Sequence, residues 1–279
     1  MVQDYRRSLT VPQKDNRFNL LLIQPEQGLS FVSFDPVEQT LISLPFPPNT
    51  VIRSRTRGEY DVASLYKLGD YQGDGGMFAR QKIQGFMRVP IPAYVVVGGD
   101  LTRVRRELRR GLLAAIVSGP TNLSRLDAWT LWMRTYRYQY REISQDELVR
   151  AAVLEQVGGR IVYHFDRLQE YVGKRFFDWQ LGARNVTVAI VNESGQDGLG
   201  TALADFLGNM GLDVVMVRSG NTQDTQTSRW QVGDRQQGRE LAFVFDGLFA
   251  MGEAKVEKVP EEYRATVLIV VGKDAEELF

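Results

Sequence analysis

The chain has 279 residues, room for one large or two medium domains, with 34 Lys+Arg against 34 Asp+Glu. That balance makes no case for nucleic acid, the lack of cysteine excludes disulfides and thiolate metal sites, and a single histidine, His164, removes most zinc chemistry and most Ser-His or Cys-His catalysis. No run reaches the ~18–20 apolar residues of a membrane span, and Met1–Arg17 lacks the apolar core of a signal peptide, so any membrane anchor is expected to be absent from this chain.

In chain order, residues 1–16 read as a polar arm. Phe18–Ile23, Leu29–Phe34 and Gln39–Leu44 read as three strands, the last two joined through the Asp35-Pro36 turn. Pro45, Pro47 and Pro48 are expected to end the third strand, because proline cannot donate to a ladder, and Thr50–Arg53 resumes extended structure. The pattern then predicts a helix over Val62–Leu68, a loop over Gly69–Gly76, a helix over Met77–Met87 and a strand over Tyr94–Val97. Leu101–Val117 is the longest predicted helix. Its core stripe is Leu101, Val104, Leu108, Leu112, Ala115 and Ile116, with Arg103, Arg106 and Arg110 opposite. Ser124-x-x-Asp127 and Ser144-x-x-Glu147 read as capping boxes for helices over Arg125–Gln139 and Gln145–Gln156, the second broken by Gly158-Gly159. Ile161–Tyr163 is a predicted strand, Asp166–Trp179 a helix, and Gly182–Asn185 the domain boundary.

Val186–Val191 reads as a strand covered on both faces. A glycine turn follows, then a helix whose stripe is Leu199, Ala202, Leu203, Phe206, Leu207 and Met210, then a strand over Leu212–Val217. The polar stretch Ser219–Thr227 reads as a loop, Trp230–Val232 as a strand, Gln236–Phe249 as a helix, and Lys255–Lys258 and Ala265–Val271 as closing strands.

Three groups of residues bear on function. Gly195-x-x-Gly198-x-Gly200 lies where a dinucleotide would bind, but the order is not G-x-G-x-x-G and the next strand ends in Val217-Arg218-Ser219 with no carboxylate for a ribose. It reads instead as a tight turn that needs glycine backbone angles. The arginines are unevenly placed: Arg103, Arg105, Arg106, Arg109, Arg110, Arg125, Arg134, Arg137 and Arg141 face only Asp100, Glu107 and Asp127. With Arg53, Arg55 and Arg57 they would hold an anionic headgroup or glycan phosphate if they meet in space; if they do not, each group is a solvated face. Asp61, Asp70 and Asp74 lie in or near loops that suit either an Mg2+ ion or plain turns. His164, between Tyr163 and Phe165, reads as structural.

The stretch Val186–Gly211 with its following strand, and Tyr263–Asp274 (YRATVLIVVGKD), resemble the V-x-V-x-N-G-S-G-x-x-G-L-A, helix, G-Y-x-V pattern and the G-x-D ending of the LytR C-terminal domain, with Glu193 where that pattern has glycine. FVSFDPVEQTLISLPFPPNT, YDVASLYKLGDYQGDGG and FARQKIQGFMRVPIPAYVVV more loosely resemble segments of the LytR-CpsA-Psr (LCP) domain that commonly precedes it, and TNLSRLDAW and FDRLQEYVGKRFFDWQL its later helices. The resemblance implies an α/β protein of two domains: a polar arm over 1–16, a reduced LCP-like α/β/α domain over 17–182 and a small α/β LytR C-terminal-like domain over 183–279.

LCP enzymes move polyprenyl-pyrophosphate-linked glycopolymer to peptidoglycan with arginines and Mg2+-binding aspartates. Here R-S-D-T becomes Arg17-Phe18-Asn19-Leu20, P-R-D-T becomes Pro45–Thr50 without Arg or Asp, and Asp100-x-x-Arg103-x-x-Arg106 is the closest echo of the later arginine motif. The resemblance therefore implies an extracytoplasmic bacterial envelope protein that binds or scaffolds peptidoglycan or an anionic glycopolymer, with a polyprenyl-phosphate lipid as a further partner, no nucleic acid, no cofactor and no catalytic residue. The competing expectation is an active phosphotransferase using Mg2+ and a rebuilt site of Arg17, Arg53, Arg55, Arg103 and Arg106.

Overall fold

The computed structural model describes residues 17–54, 58–99, 101–176, 185–222, 224–242, 245, 251 and 254–278. The predicted arm, Arg55, Arg57, Asp100 and most of the expected boundary at Gly182–Asn185 lie outside them. The chain divides into two compact units. The second takes over from the first between Tyr171 and Val172, and also claims Arg88–Pro90.

In the first unit β1 (Phe18–Gln24), β2 (Gly28–Asp35) and β3 (Thr40–Phe46) form an antiparallel meander. Every residue of β1 and β2 is buried, so this sheet is covered on both faces. β6 (Ala93–Val96) adds parallel to β1 and β7 (Gln139–Glu142) adds parallel to β3, giving the order β6-β1-β2-β3-β7. One parity of the strands, Phe18, Leu20, Leu22, Val32, Phe34 and Leu41, packs with α3 (Val104–Val117) and α4 (Arg125–Arg137). The other parity carries Leu21, Ile23, Phe31, Leu44 and Phe46, all buried. Phe46 meets Phe86 of α2 (Gly75–Met87) and Tyr163 of β9 (Arg160–Tyr163), ring centroids 6.4 and 5.5 Å away. β9 belongs to a second sheet of order β5-β4-β9-β8, with β4 at Thr50–Ser54, β5 at Gly58–Asp61 and β8 at Leu154–Val157. α1 (Val62–Asp70), α5 (Gln145–Arg150) and α6 (Phe165–Phe176) complete the helices described here.

Four expectations are corrected. β3 runs through Pro45 to Phe46, because β7 accompanies it only as far as Ser43 and a residue with no N–H to give is accommodated beyond that point. The predicted loop at Gly69–Gly76 shrinks, with α1 reaching Asp70 and Gly75 and Gly76 forming the first turn of α2. The Asp74 carboxylate caps that turn by accepting from the Met77 N–H at 2.8 Å, and a Cβ at Gly76 would lie 2.1 Å from the Tyr94 ring. The helix over Gln145–Gln156 stops at Arg150, and Gln156 belongs to β8, the first strand of a hairpin that Gly158 (φ 59) and Gly159 (φ 79) turn into β9. Positive φ at both positions is what a two-residue hairpin loop requires. Likewise α4 ends at Arg137, and Gln139 opens β7. Both capping boxes form: Ser124 Oγ accepts from the Asp127 N–H at 3.1 Å and Ser144 Oγ from the Glu147 N–H at 3.2 Å.

The second unit opens with β10 (Thr187–Asn192), α7 (Leu199–Met210) and β11 (Asp213–Ser219), the two strands parallel. β14 (Val267–Val271) lies parallel to β10 on its other side, β12 (Arg229–Val232) antiparallel to β14, and β13 (Lys255–Val256) at the far edge. α8 spans Arg235–Ala242, and most of the remainder of the predicted Gln236–Phe249 helix falls outside the described residues. Val188, Ile190, Leu203, Phe206, Trp230 and Phe245 form the main core, while Val259 and Tyr263 pack against Ala189, Val191 and Leu268 on the opposite face.

The Gly272-Lys273-Asp274 ending has a structural role. The Asp274 carboxylate accepts from the Ser228 N–H at 2.8 and 2.9 Å and from the Ser228 hydroxyl at 2.6 Å, and that hydroxyl accepts from the Gly272 N–H at 2.9 Å. This ties the end of β14 to the start of β12. Asp274→Ala leaves a buried N–H without its acceptor and is expected to lower stability by about 1–3 kcal/mol in urea unfolding.

Candidate functional site

Most of the arginines singled out in the sequence and described in the structure are held by local partners. Arg17, at the start of β1, pairs with Asp35 and donates to Ser33 Oγ at 3.1 Å, and its side chain is nearly buried. Asp35 also receives the Val37 and Glu38 N–H groups at 3.0 and 3.1 Å, so Arg17 locks the Asp-Pro turn between β2 and β3. Arg53 donates to Glu59 across the β4–β5 hairpin at 2.8 Å, with its side chain 73% exposed. Such an exposed pair holds its charges weakly, so the guanidinium remains available to an anion. Arg103 is exposed in a 3-10 turn, Leu101–Arg103, that precedes α3, so the predicted helix is shortened there. Arg106 and Arg110 donate to the same oxygen, Glu107 Oε1, at 2.9 and 3.1 Å. Arg55 lies outside the described residues.

Sequence reading missed the role of Glu107. It is 2% exposed, between two arginines that reach the surface, and a Cβ on Gly99 would lie 2.0 Å from its Oε2. The signal was present: position 107 falls on the same stripe as Val104, Leu108 and Gly111, so its carboxylate faces inward and needs cations to accompany it. Arg105 and Arg109 also have structural work. They donate to the Thr135 carbonyl at 2.9 Å each, and Arg105 to the Tyr138 carbonyl at 3.3 Å. Those carbonyls end α4, where the helix dipole favours cations.

Of the aspartates expected near a metal, Asp61 and Asp74 are engaged by neighbours, while Asp70 is exposed at the end of α1. Asp61 lies 3.4 Å from Arg160. Asp74 caps α2 and accepts from the Tyr94 hydroxyl at 3.1 and 3.2 Å. Among the described residues no three His, Asp or Glu side chains come together. Burial, then the Asp74 charge and hydrogen bond, push the Tyr94 hydroxyl up to about 12. Tyr94 therefore keeps its proton in the folded state at pH values where an unfolded tyrosine, near 10, has lost it. The stability this gives is fully present below about pH 10 and is lost as pH rises toward 12. Tyr94→Phe is expected to flatten the fall in urea midpoint between about pH 10 and 12, where the wild type declines steadily.

In the second unit the glycine turn closes on itself. Gly195 and Gly198 have φ 76 and 71, the left-handed angles the sequence called for. The Asn192 side chain donates to the Gln196 carbonyl at 2.7 Å and accepts from the Ser194 N–H and hydroxyl at 3.2 and 2.6 Å, while Ser194 Oγ accepts from the Gln196 N–H at 3.1 Å. Two backbone donors of the turn, the Ser194 and Gln196 N–H groups, are thus taken up within it by Asn192 and Ser194. His164 sits 3.6 Å from Glu155, both side chains about half exposed.

Residues 185–274 match the family model for the LytR cell envelope-related transcriptional attenuator. The second unit carries a LytR C-terminal domain. Its Asn192–Gly198 turn and its Asp274 clamp belong to that domain, and Glu193, its departure from the pattern, accepts from the Thr225 hydroxyl at 2.7 Å. No curated protein matches the chain. Among solved structures, the LytR-CPS2A-psr family protein YwtF (TagT) with bound octaprenyl pyrophosphate lipid is 14% identical over 56% of this chain and 88% of its own, with a TM-score of 0.39. B. subtilis TagU is 11% identical over 56% and 94%, TM-score 0.38. TagT bound to LI-WTA is 12% identical over 56% and 88%, TM-score 0.40. Scores of this size do not establish a shared fold.

Proposed function

We propose that the chain is an extracytoplasmic envelope protein that binds an anionic glycopolymer or peptidoglycan and holds it without transferring it. The observation that carries this is the LytR C-terminal domain at residues 185–274, which sets the protein among cell-envelope functions. The motif resemblance of residues 17–97 to an LCP domain supports a reduced LCP-like first unit. Arg53 and Arg103 are its candidate ligand contacts, since both reach solvent; Arg106, also exposed, already donates to Glu107. The transferase reading is weaker, because in-line phosphoryl transfer needs cations gathered on the transferred group. Arg17 is engaged at the Asp35 turn and Arg106 at Glu107.

The test is sedimentation of the purified chain with peptidoglycan sacculi that carry their anionic polymer and with sacculi stripped of it, alongside octaprenyl pyrophosphate with and without Mg2+. Salt-sensitive sedimentation with the sacculi, and no phosphate released or transferred, is expected. Failure to sediment with either preparation removes the reading, and Mg2+-dependent transfer replaces it with the enzyme.

A further inference from the structure

The α3–α4 hairpin has a surface that neither the core nor the arginine pairs explain. Its outer face carries Leu113 (50% exposed), Val117 (68%), Leu126 (54%), Trp129 (49%) and Tyr136 (55%). On α3 the exposed stripe is Arg106, Arg110, Leu113 and Val117; on α4 it is Leu126, Trp129, Tyr136 and Arg137. The α3 residues repeat at three- and four-residue spacing and so form one continuous helix face; on α4, Leu126, Trp129 and Tyr136 fall three and seven residues apart on one face, with Arg137 next to Tyr136. The rings are ordered as well. Trp129 stacks on Trp132 at 5.2 Å, Trp132 meets Tyr136 edge-on at 5.0 Å, and the Arg109 guanidinium covers Tyr136 at 4.0 Å.

The two helices run antiparallel, since the start of α3 reaches the end of α4 through Arg109 and Thr135. Val117 ends α3 and Leu126 lies in the first turn of α4, so both stand at the end of the hairpin where the two helices are connected. The hairpin tip therefore gathers Leu113, Val117, Leu126 and Trp129, with Arg125 beside them, while Arg103, Arg106, Arg110 and Arg137 lie toward the other end. Across residues 101–137 the only acids are Glu107 and Asp127, each 2% exposed and held internally, Asp127 by the Ser124 hydroxyl at 2.7 Å. The exposed charge of the hairpin is entirely cationic.

We infer that this face docks on an anionic phospholipid surface, with the apolar tip entering the headgroup boundary and the arginines pairing with lipid phosphates. A soluble polyanion would engage the arginines but gains nothing from exposed leucine and valine. A bilayer interface takes aliphatic side chains, indole rings and arginines together. A cationic face free of exposed acid complements a negative sheet of charge at every point. The inference does not rest on the glycopolymer reading, because bare phospholipid is its ligand.

The full chain is sedimented with vesicles of mixed phosphatidylglycerol and phosphatidylcholine, and with vesicles of phosphatidylcholine alone. Binding to the anionic vesicles that weakens with salt is expected, with a blue shift of the Trp129 fluorescence contribution. Val117→Glu combined with Leu126→Glu removes the apolar tip and is expected to lower partitioning on the order of tenfold or more. Arg125→Glu alone lowers it by at least about fivefold, the worth of one basic charge near such a surface. These positions are exposed, so unchanged circular dichroism serves as the folding control. The proposal is overturned if the anionic vesicles are not bound at low salt, or if a folded glutamate variant binds them as tightly as the wild type. Binding to soluble polyphosphate in place of vesicles overturns it too, as does dimerisation that the glutamate variant abolishes without any vesicle binding.

Discussion

Trp230→Ala is expected to destabilise the LytR C-terminal domain by about 3–5 kcal/mol, the usual cost of removing a large buried aromatic side chain. Trp230 is 1% exposed on β12, its ring centroid 4.7 Å from Phe245, in a cluster with Leu203, Phe206, Val267 and Ile269. It joins the antiparallel strand β12 to the main core of the domain. Against a typical total of about 5–15 kcal/mol such a loss leaves the domain marginal. Urea unfolding followed by far-ultraviolet circular dichroism measures it without depending on the lost fluorophore. Trp129→Ala, at a half-exposed ring, is the matching control and is expected to stay below about 1 kcal/mol.

The second large effect is expected from Phe46→Ala in the first unit, again about 3–5 kcal/mol. Phe46, Phe86 and Tyr163 form a three-ring cluster, with Phe86 edge-on to Tyr163 at 5.8 Å. The three rings come from β3, α2 and β9, so one side chain holds the central sheet, a helix and the second sheet together. Amide hydrogen exchange gives the more specific readout. Protection is expected to fall in β3, α2 and β9 while β10 and β14 of the other unit keep theirs. Uniform loss across the chain would show that Phe46 is not the local keystone described.

Much of this fold is legible in the residues. The run FNLLLI reads as a strand and forms one, buried along its whole length, and the Leu199–Met210 stripe reads as a helix and forms one. What resisted reading depended on neighbours. Pro45 stays in β3 because the adjacent strand stops short, and Gly76 starts a helix because the Tyr94 ring lies against it. Neither fact is local. The Gly158-Gly159 pair was read as a helix breaker although the same residues make a hairpin turn, because the short strand before it, LEQV, has no strong alternation of its own.

The site was less legible than the fold for a related reason. A row of arginines says that positive charge is present and not what satisfies it. Glu107, Asp35 and the carbonyls ending α4 take up Arg106, Arg17, Arg105 and Arg109, and those pairings appear only in three dimensions. Arg53 and Arg103, with exposed side chains, remain available to a ligand.

On the proposed function, exposed arginines of the first unit hold an anionic envelope polymer. Titration of a soluble, lipid-free fragment of such a polymer into the full chain by calorimetry tests it most directly. Saturable binding is expected, weakening as salt rises and falling several-fold when Arg53 and Arg103 are both changed to alanine. Absence of heat at low salt, or affinity unchanged in that double variant, would contradict it.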